Sequence, residues 1–537
     1  MAIKPTFGGD DVAAWEIGRW RLGGVLGRRR EWRALGTALL LMNIVGMAGA
    51  QPRPEGTMTW GLHFNIAPTF FDPAEASGLA TPFMFLYALH DALIKPMPAG
   101  LLTPSLAESW TESPDGLVYD FKLREGVTFH NGQPLASSDV VFSFKRYRGA
   151  SKKVFEEKVE AVEALDPHRV RFRLREPWPD FLLFLGTPAT GAGLVVPQKY
   201  LEQVGNDGFK QHPIGAGPYK FVSHNPGVDL VLEANETYWR KTPHVKRLVF
   251  KGIPDPTTRL VALKKGEIDI SYAMNGEIGR ALQADPRLTT RVVSIPTTYW
   301  LEFPGKWDPK SPWHERRVRL AANYAIDRQA IMESETLGFG KLTGNIVPSN
   351  LPHALPLEPL PHDPTKAKEL LKEAGYANGF DAGDITPFPP ATPQAEAVAN
   401  DLGAVGIKLR VRTMERPTMI TAWRAKTLQG VILAISGALS SAAARLENYV
   451  VSWGEFAYGG SPDLDALFHK QARELDRQRR EELLHEMQRL VHDRVMFVPI
   501  YESAGITGIG PRVAESGLGL ITPYQWSGPY EDVRLKP

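Results

Sequence analysis

The sequence predicts a mixed α/β protein with more than one domain. The chain has 537 residues, of which 43% are hydrophobic and 23% are charged, as in ordinary globular proteins that exceed the size of one core. Helical and strand periodicities also follow one another along the chain. Residues 394–405 have a helical pattern, and Ile407, Leu409 and Val411 then alternate with basic residues, which predicts a strand. This order of elements favours helices packed on a sheet.

The most informative stretch, residues 106–146, predicts a hairpin followed by a helix. Residues 113–116 (SPDG) form its turn, because proline presets φ and glycine supplies a residue with positive φ. Residues 119–123 alternate hydrophobic with charged side chains, which is the pattern of a half-buried strand. Residues 137–139 (SSD) then predict the capped start of a helix. These residue types do not form a catalytic constellation.

The same stretch closely resembles the signature of the extracytoplasmic solute-binding proteins of the dipeptide, oligopeptide and nickel type (family 5), which feed ABC importers. The family pattern runs approximately LAESW, SPDGL, LR-x-GV-x-FH-x-G-x-P and DV-x-FS. The matching residues here are Pro104, Leu106, Ala107, Glu108, Ser109, Trp110, Ser113, Pro114, Asp115, Gly116, Leu117, Leu123, Arg124, Gly126, Val127, Phe129, His130, Gly132, Pro134, Asp139 and Val140.

Similar landmarks recur along most of the chain. They are residues 213–221 (PIGAGPYKF), 259–270, 317–328 and 363–376. Glycines at 215 and 217 also suggest a phosphate-binding turn, but neither Gly-x-Gly-x-x-Gly nor Gly-Lys-Ser/Thr is completed. The resemblance therefore extends from about residue 57 to about residue 500.

The resemblance implies a two-lobed α/β periplasmic binding protein fold of type II, in the large variety with three subdomains and a ligand cleft between the lobes. The implied division gives a signal peptide at 1–50, a first lobe at 51–80, 211–295 and 501–537, a subdomain carrying the hairpin at 81–210, and a second lobe at 296–500. Lobe closure would bury a small solute, and the closed form would dock on a permease.

Residues 1–50 have the pattern of a secretory signal peptide. A basic segment precedes the short apolar stretch 34–50, which ends with small residues at Ala48 and Ala50. This segment carries seven Lys/Arg and four Asp/Glu, a net charge of +3, so the remaining chain changes from +2 to −1. The basicity therefore belongs to the signal, and a nucleic-acid partner is not implied.

The chain has no cysteine, which excludes disulfides, thiolate metal sites and lipid attachment through an N-terminal cysteine. We therefore expect an unanchored periplasmic protein, without cofactor or metal, that works as a monomer. By resemblance its partners are a small-molecule or peptide ligand and an ABC permease with its ATPase in the inner membrane.

Two other classes of function compete with import. A secreted hydrolase would need a Gly-x-Ser-x-Gly elbow, a His-Glu-x-x-His helix or a catalytic carboxylate pair. The first two are absent, since His485-Glu486 is followed by Arg489 where the second histidine would stand, and the third cannot be seen from sequence. A periplasmic chaperone or sensory receptor on the same fold remains open. The preferred interpretation is a binding protein, not an enzyme.

The ligand is the least determined property. Peptide-binding members of the family usually hold the amino terminus of the peptide with an aspartate late in the second lobe, and the corresponding residues here, 435–453, contain none. Glu447 is a candidate replacement, whereas Arg445 would face an anion. A peptide, an opine, a modified amino acid and a sugar derivative all remain open.

The candidate ligand-binding residues lie in two segments. Aromatic walls are expected from Tyr299, Trp300, Tyr449 and Trp453, each of which is as readily explained by core packing. Polar contacts are expected from Arg445, Glu447 and Asn448.

Overall fold

The computed structural model describes residues 53–537 apart from 76–80, 150, 187–189, 275, 390, 438–440, 522–523 and 525. The signal-peptide prediction at 1–50 lies outside the described residues. In the described part of the chain, no helix is both long and apolar enough to cross a membrane.

The strands of the described residues are β1 Glu55–Leu62, β2 Ile94–Met97, β3 Gly100–Pro104, β4 Ala107–Glu112, β5 Val118–Leu123, β6 Val159–Asp166, β7 Arg169–Leu174, β8 Tyr219–Asn225, β9 Asp229–Ala234, β10 Val245–Gly252, β11 Ile270–Met274, β12 Thr289–Glu302, β13 Lys341–Leu342, β14 Phe380–Thr386, β15 Ile407–Val411, β16 Val431–Gly437, β17 Phe497–Ile509, β18 Val513–Glu515 and β19 Arg534–Leu535.

The α-helices of the same residues are α1 Thr81–Leu89, α2 Ser137–Lys145, α3 Lys152–Lys158, α4 Phe181–Gly186, α5 Gln198–Gln211, α6 Pro256–Lys265, α7 Gly276–Gln283, α8 Arg316–Ala325, α9 Arg328–Thr336, α10 Pro364–Glu373, α11 Thr392–Ala404, α12 Arg416–Arg424, α13 Ala442–Tyr449, α14 Pro462–Arg473 and α15 Arg477–Asp493.

One large sheet organises the fold, with strand order β15-β14-β16-β12-β17-β11-β1-β10-β9-β8 and β13 added beside β17. Its centre is the antiparallel pair β12 and β17, which are fourteen and thirteen residues long. At one end of this pair β17 continues the sheet into β11 and β1, and at the other end β12 continues it into β16 and β14. We call these the β1 side and the β16 side.

The strands on both sides run with their carboxyl ends towards the centre of the sheet. β1, β10 and β11 run parallel on one side, and β14, β15 and β16 run parallel on the other. The register sets Met274 beside Ile506 and Gly437 beside Thr297, so the carboxyl ends of both sets point towards the middle of β12. Ligands of open α/β sheets bind at such carboxyl ends.

The hairpin predicted at residues 106–146 is confirmed. β4 and β5 pair around the turn at 113–116, and β7 and β6 complete a four-stranded sheet. The helix predicted next is α2, and of residues 137–139 it is Asp139 that caps its start. The carboxylate of Asp139 accepts the N–H of Ala136 at 2.9 Å, while Ser137 Oγ donates to the carbonyl of Asp166. We call β4–β7 with α2–α4 the hairpin region.

Two landmarks of the sequence meet in the join between the hairpin region and the β1 side. The ring of His130 donates through Nε2 to the carbonyl of Gly217 (3.0 Å), and its Nδ1 accepts the N–H of Gly215 (3.2 Å). A Cβ on Gly215 would lie 2.0 Å from the carbonyl oxygen of Leu89, and one on Gly217 would lie 2.5 Å from that of Ala88. The glycines therefore permit close backbone packing here.

Separate hydrophobic clusters lie on the two sides of the sheet. One cluster packs β1, β8–β11 and α1, and it contains Trp60, Phe85 and Phe250. The hairpin region has its own cluster. Two further clusters cover opposite faces of the β16 side, with Leu301 in one and Trp300 in the other, because successive residues of β12 point to opposite faces.

Candidate functional site at the middle of β12

The regular pairing of β12 with β17 is interrupted where the two sets of strand ends face each other. Ser294 pairs with Ala504, but the next pair is Thr298 with Glu502, so β12 has two more residues than β17 over this interval. Pro296 lies within the extra length, where its missing N–H breaks no ladder hydrogen bond. Extra residues of this kind bend the strand that carries them. We call residues 294–298 of β12 with 502–504 of β17 the bend.

Arg445 is the most unusual side chain beside this bend. It lies on α13 and is only 2% exposed. Its guanidinium lies over the rings of Trp300 (4.9 Å) and Tyr449 (5.2 Å), and Nη2 donates to the carbonyl of Ser436 at 2.7 Å. Nε and Nη1 are buried and have no hydrogen-bond partner among the described residues. Burial lowers the pKa of Arg445 to about 10, so the side chain keeps its charge at neutral pH.

Other polar atoms around Arg445 are also unmatched. Thr298 is fully buried beside Ser436 in the ladder, and its hydroxyl has no partner among the described residues. The same holds for the indole N–H of Trp300. Buried polar groups in folded proteins are nearly always hydrogen-bonded, so such a group of exceptions at one place indicates a site for a polar ligand or water.

Tyr449 completes this group. Its ring meets that of Trp300 edge-on at 5.1 Å, and its hydroxyl donates to Ser436 Oγ at 3.0 Å. Burial raises the pKa of Tyr449, so the phenol stays neutral. Two aromatic rings and the carbonyl of Ser436 thus hold the cation of Arg445 in one position.

The structure therefore brings together Trp300, Arg445 and Tyr449 from the set predicted by sequence. Tyr299 lies on the opposite face of β12, where its ring stacks on Tyr501 at 4.5 Å. Trp453 lies outside the group, 46% exposed and stacked on His469 at 4.6 Å.

Glu447 and Asn448 occupy the outer part of α13, where Glu447 is exposed and Asn448 half-buried. Desolvation nevertheless raises the pKa of Glu447, opposed by Lys158 and reinforced by Asp180 and Glu157. These three residues belong to the hairpin region or border it. Glu447 thus faces the hairpin region rather than the guanidinium of Arg445.

Comparison with known proteins decides the family. Residues 102–456 match the model of the bacterial extracellular solute-binding proteins, family 5 Middle. The chain belongs to family 5 of the bacterial extracellular solute-binding proteins. The fold and function expected from the resemblance, a two-lobed α/β binding protein that captures a solute for an ABC importer, are thereby confirmed.

Individual relatives are distant but cover most of this solute-binding protein. It is similar to heme-binding protein A of Haemophilus influenzae, with 28% identity over 77% of this chain and 81% of that protein. It is also similar to di/tripeptide-binding protein 2 of Pseudomonas aeruginosa, with 29% identity over 73% of this chain and 78% of that protein. The solved structure of HbpA2 from Haemophilus parasuis matches with a TM-score of 0.78 at 24% identity, over 90% of this chain and all of that one.

Sequence reasoning missed several polar residues of the solute-binding protein near the bend. The carboxylate of Glu502, which is 2% exposed, accepts hydrogen bonds from Ser349 N (3.0 Å) and Ser349 Oγ (2.7 Å), and Asn350 Nδ2 donates to Ser294 Oγ at 3.1 Å. These contacts tie the loop after β13 to β12 and β17. Isolated serine and asparagine residues in a proline-rich loop carry no periodicity that predicts such contacts.

A buried ion pair was missed as well. Glu302 is fully buried, and Lys306 Nζ lies 3.9 Å from its carboxylate. Burial raises the pKa of Glu302 and lowers that of Lys306, while the attraction between them opposes both shifts. Glu302 shares one face of β12 with Thr298 and Trp300, because alternate residues of a strand point to the same face.

The described residues contain no group of three or more His, Asp or Glu side chains that could hold a metal ion. The imidazole of His485 lies 3.8 Å from Glu481, and that of His492 lies 3.5 Å from Asp493. Each of these histidines therefore has its own neighbouring carboxylate on the same helix.

Proposed function

We propose that this protein binds a small solute carrying a carboxylate or similar anion, peptide-like or an opine or other amino-acid derivative, with the anion on Arg445. The ligand would lie at the bend of β12 and β17, between the β1 side and the β16 side. Closure of the two sides would remove it from water, and the closed form would deliver it to an ABC permease and its ATPase.

The observation that carries this proposal is the guanidinium of Arg445. A buried cation with Nε and Nη1 unmatched lacks most of the stabilisation that offsets its desolvation. An incoming carboxylate would supply part of it, since a guanidinium binds carboxylate through two parallel charge-assisted hydrogen bonds along one edge. Here that edge would pair the second hydrogen of Nη2 with either Nε or Nη1. The hydroxyl of Thr298 and the indole N–H of Trp300 offer further polar contacts to the same ligand.

The aromatic rings give the proposed site its shape. The guanidinium of Arg445 lies over Trp300 and Tyr449, so these rings would fix where an anion bound to it lies. The di/tripeptide-binding relative supports a peptide as one ligand class, and its terminal carboxylate would be the anion.

The test begins with the protein purified without denaturation and examined by native mass spectrometry for a co-purified ligand. Trialanine and a panel of small carboxylic acids are then compared for their effect on the melting temperature. A ligand with a free carboxylate should raise it, and amidation of that carboxylate should abolish the shift. A bound ligand without any anionic group would contradict the proposal.

Arg445→Met isolates the proposed contact. We expect it to weaken binding of the carboxylate ligand about 100-fold, because buried charge-assisted pairs contribute roughly 2–5 kcal/mol on truncation. The matched control is Arg489→Met, which removes an arginine exposed on α15. Equal affinity of the two variants would exclude Arg445 from the site.

The proposal includes export and domain division as expected from sequence. Residues 1–50 would be removed, and the mature protein would act unanchored and as a monomer in the periplasm. Its lobes would be 51–80, 211–295 and 501–537 against 296–500, with the subdomain at 81–210. The mass of the exported protein tests the removal of residues 1–50, since it should begin at Gln51. Light scattering tests whether it is a monomer.

A further inference from the structure

A buried carboxylate joins the hairpin region to the β16 side. Asp180 precedes α4, is 4% exposed, and accepts a hydrogen bond from Ser441 Oγ at 2.8 Å. Its other oxygen pairs with Nη1 of Arg480 at 2.7 Å, and the side chains of both ionic partners are 6% exposed. The two contacts span 261 and 300 residues of sequence, so tertiary packing alone creates them.

The partners of Asp180 belong to different parts of the sheet. The hairpin region is held to the β1 side, where Arg146 of the segment after α2 pairs with Asp72 through two bonds of 2.7 and 2.8 Å. Ser441 is the residue just before α13, and Arg480 lies on α15; both helices pack on the β16 side. The contact made by Asp180 therefore bridges the two sides that must move apart when the cleft opens.

Neighbouring residues extend this contact between the hairpin region and helices α14 and α15. Arg480 Nε donates to Gln471 Oε1 at 3.1 Å, which orients its guanidinium towards Asp180. Leu475, between α14 and α15, lies so close to the hairpin turn that a Cβ on Gly116 would be 2.8 Å from it. The pKa of Glu176 in the hairpin region is lowered mainly by its hydrogen bond with Lys158 and to a smaller extent by the charge of Arg473, which lies on α14.

Asp180 also acts on the helix that carries the candidate ligand arginine. Ser441 directly precedes α13, and Arg445 follows one helical turn later, its N–H donating to the carbonyl of Ser441 at 3.4 Å. A carboxylate at this position also interacts favourably with the positive end of the helix dipole. The hydroxyl at the start of α13, one turn before Arg445, is thus bonded to a residue of the hairpin region.

We infer that Asp180 is a positioning residue that couples closure to ligand binding: it docks Ser441 and Arg480 when the two sides close, and thereby fixes the start of α13 with Arg445 in its binding orientation. This inference rests on the proposed function. The pair is dry when closed, and separation returns both charges to water, so an intermediate with one buried unpaired charge is disfavoured. Closure then becomes an all-or-none step that slows ligand release.

The variants are Asp180→Asn, Arg480→Gln and the double variant. Trialanine is the probe, and its association and dissociation rates are followed by stopped-flow tryptophan fluorescence. We expect each single variant to raise the dissociation rate about tenfold, because a lost charge-assisted bond leaves its partner unmatched, with association changed less than twofold. The double variant should be no worse than either single variant, since the residues act as one pair.

Two further measurements do not depend on the ligand. Hydrogen–deuterium exchange should show faster exchange of the amides of residues 442–449 in Asp180→Asn, and small-angle scattering should show a larger radius of gyration. Ser441→Ala, which keeps the ion pair, should speed exchange in α13 alone. The matched control is Asp120→Asn, which breaks a surface pair with Arg171 (2.7 Å) in the same hairpin region.

The results separate the two proposals. If trialanine fails to bind the wild-type protein, this peptide is excluded as a ligand, while exchange and scattering still test the role of Asp180. If Asp180→Asn matches Asp120→Asn in exchange at 442–449 and in radius of gyration, the positioning role is excluded. Additive effects of the two single variants on dissociation would also overturn it.

Discussion

Two buried arginines of the β16 side show how differently one side chain can be used. Arg328, at the start of α9, is 3% exposed and donates to the carbonyls of Pro499 (2.8 Å) and Asn323 (2.8 Å) and to the amide oxygen of Asn323. Arg445 is equally buried but donates to the carbonyl of Ser436 alone among the described residues. Burial lowers the pKa of each to about 10.

The difference teaches how a structural arginine is distinguished from a binding one. Arg328 donates to carbonyls that helix and strand ends leave unpaired. Its donors are therefore used within the fold and are not available to a ligand. Arg445 is held by the rings of Trp300 and Tyr449, which fix its position and leave its donors free. Burial alone does not separate the two roles, whereas the number of filled donor sites does.

The largest expected effect is on Arg328. Arg328→Met should lower the free energy of unfolding by about 3–5 kcal/mol, because it leaves several buried carbonyl acceptors unpaired. Urea denaturation followed by circular dichroism measures it. A loss below 1 kcal/mol would show that the carbonyls find other donors. Arg328 would then not be a structural arginine in the sense used for the comparison with Arg445.

A buried histidine shows how the fold treats another buried group with an unmatched nitrogen, and pH can test it. His90 is fully buried; its Nε2 donates to the carbonyl of Phe71 at 3.0 Å, and its Nδ1 has no partner among the described residues. Protonation would add a buried donor without an acceptor, and desolvation accordingly lowers the pKa of His90 from 6.5 to about 4. Unlike Arg445, which stays charged, His90 avoids the free-energy cost of a buried charge because it stays neutral.

Because the folded pKa of His90 lies below the unfolded value, its neutral form stabilises the fold fully above pH 6.5, and this contribution falls as pH drops towards 4. The slope from this residue should approach about 1.4 kcal/mol per pH unit. His90→Gln keeps a donor for Phe71 and should remove that slope between pH 6 and 4.5. An unchanged pH dependence in urea titrations would contradict the assignment.

Arg445→Met should change the free energy of unfolding by about 1 kcal/mol or less, since it removes a desolvated charge with one strong hydrogen bond and leaves an apolar chain between two rings. Denaturation without ligand measures this value. A loss as large as that of Arg328→Met would make Arg445 structural and remove the basis of the proposed anion site.

The smallest expected effect on ligand affinity concerns the support of Arg445. Tyr449→Phe keeps the ring beneath the guanidinium but removes the hydroxyl that donates to Ser436, and should cost about 1 kcal/mol of stability. Binding of a carboxylate ligand should weaken by less than tenfold. Tyr299→Phe, on the opposite face of β12, is the matched control and should leave affinity unchanged; weaker binding there would place the ligand on that face.

Local sequence determined the elements with strong patterns. The alternation at 119–123 and 407–411 gave strands β5 and β15, and the aspartate at 363 caps α10 through the N–H of Lys366. These features are local, because pleat, helix period and cap are set within a few residues. At the start of α2, Asp139 caps the helix locally through the N–H of Ala136. Ser137 instead donates to the carbonyl of Asp166 in β6, a contact that only tertiary packing creates.

By itself, then, the sequence determined the family, the alternation of helices and strands and the candidates Trp300, Arg445 and Tyr449. Only the tertiary structure decided that these three meet, that Tyr299 turns away and that Asp180 reaches Ser441 and Arg480. The reason is physical: periodicity records which face of an element is apolar, whereas the partner of a buried charge depends on how distant elements pack. Whether a buried arginine is saturated is a property of that packing.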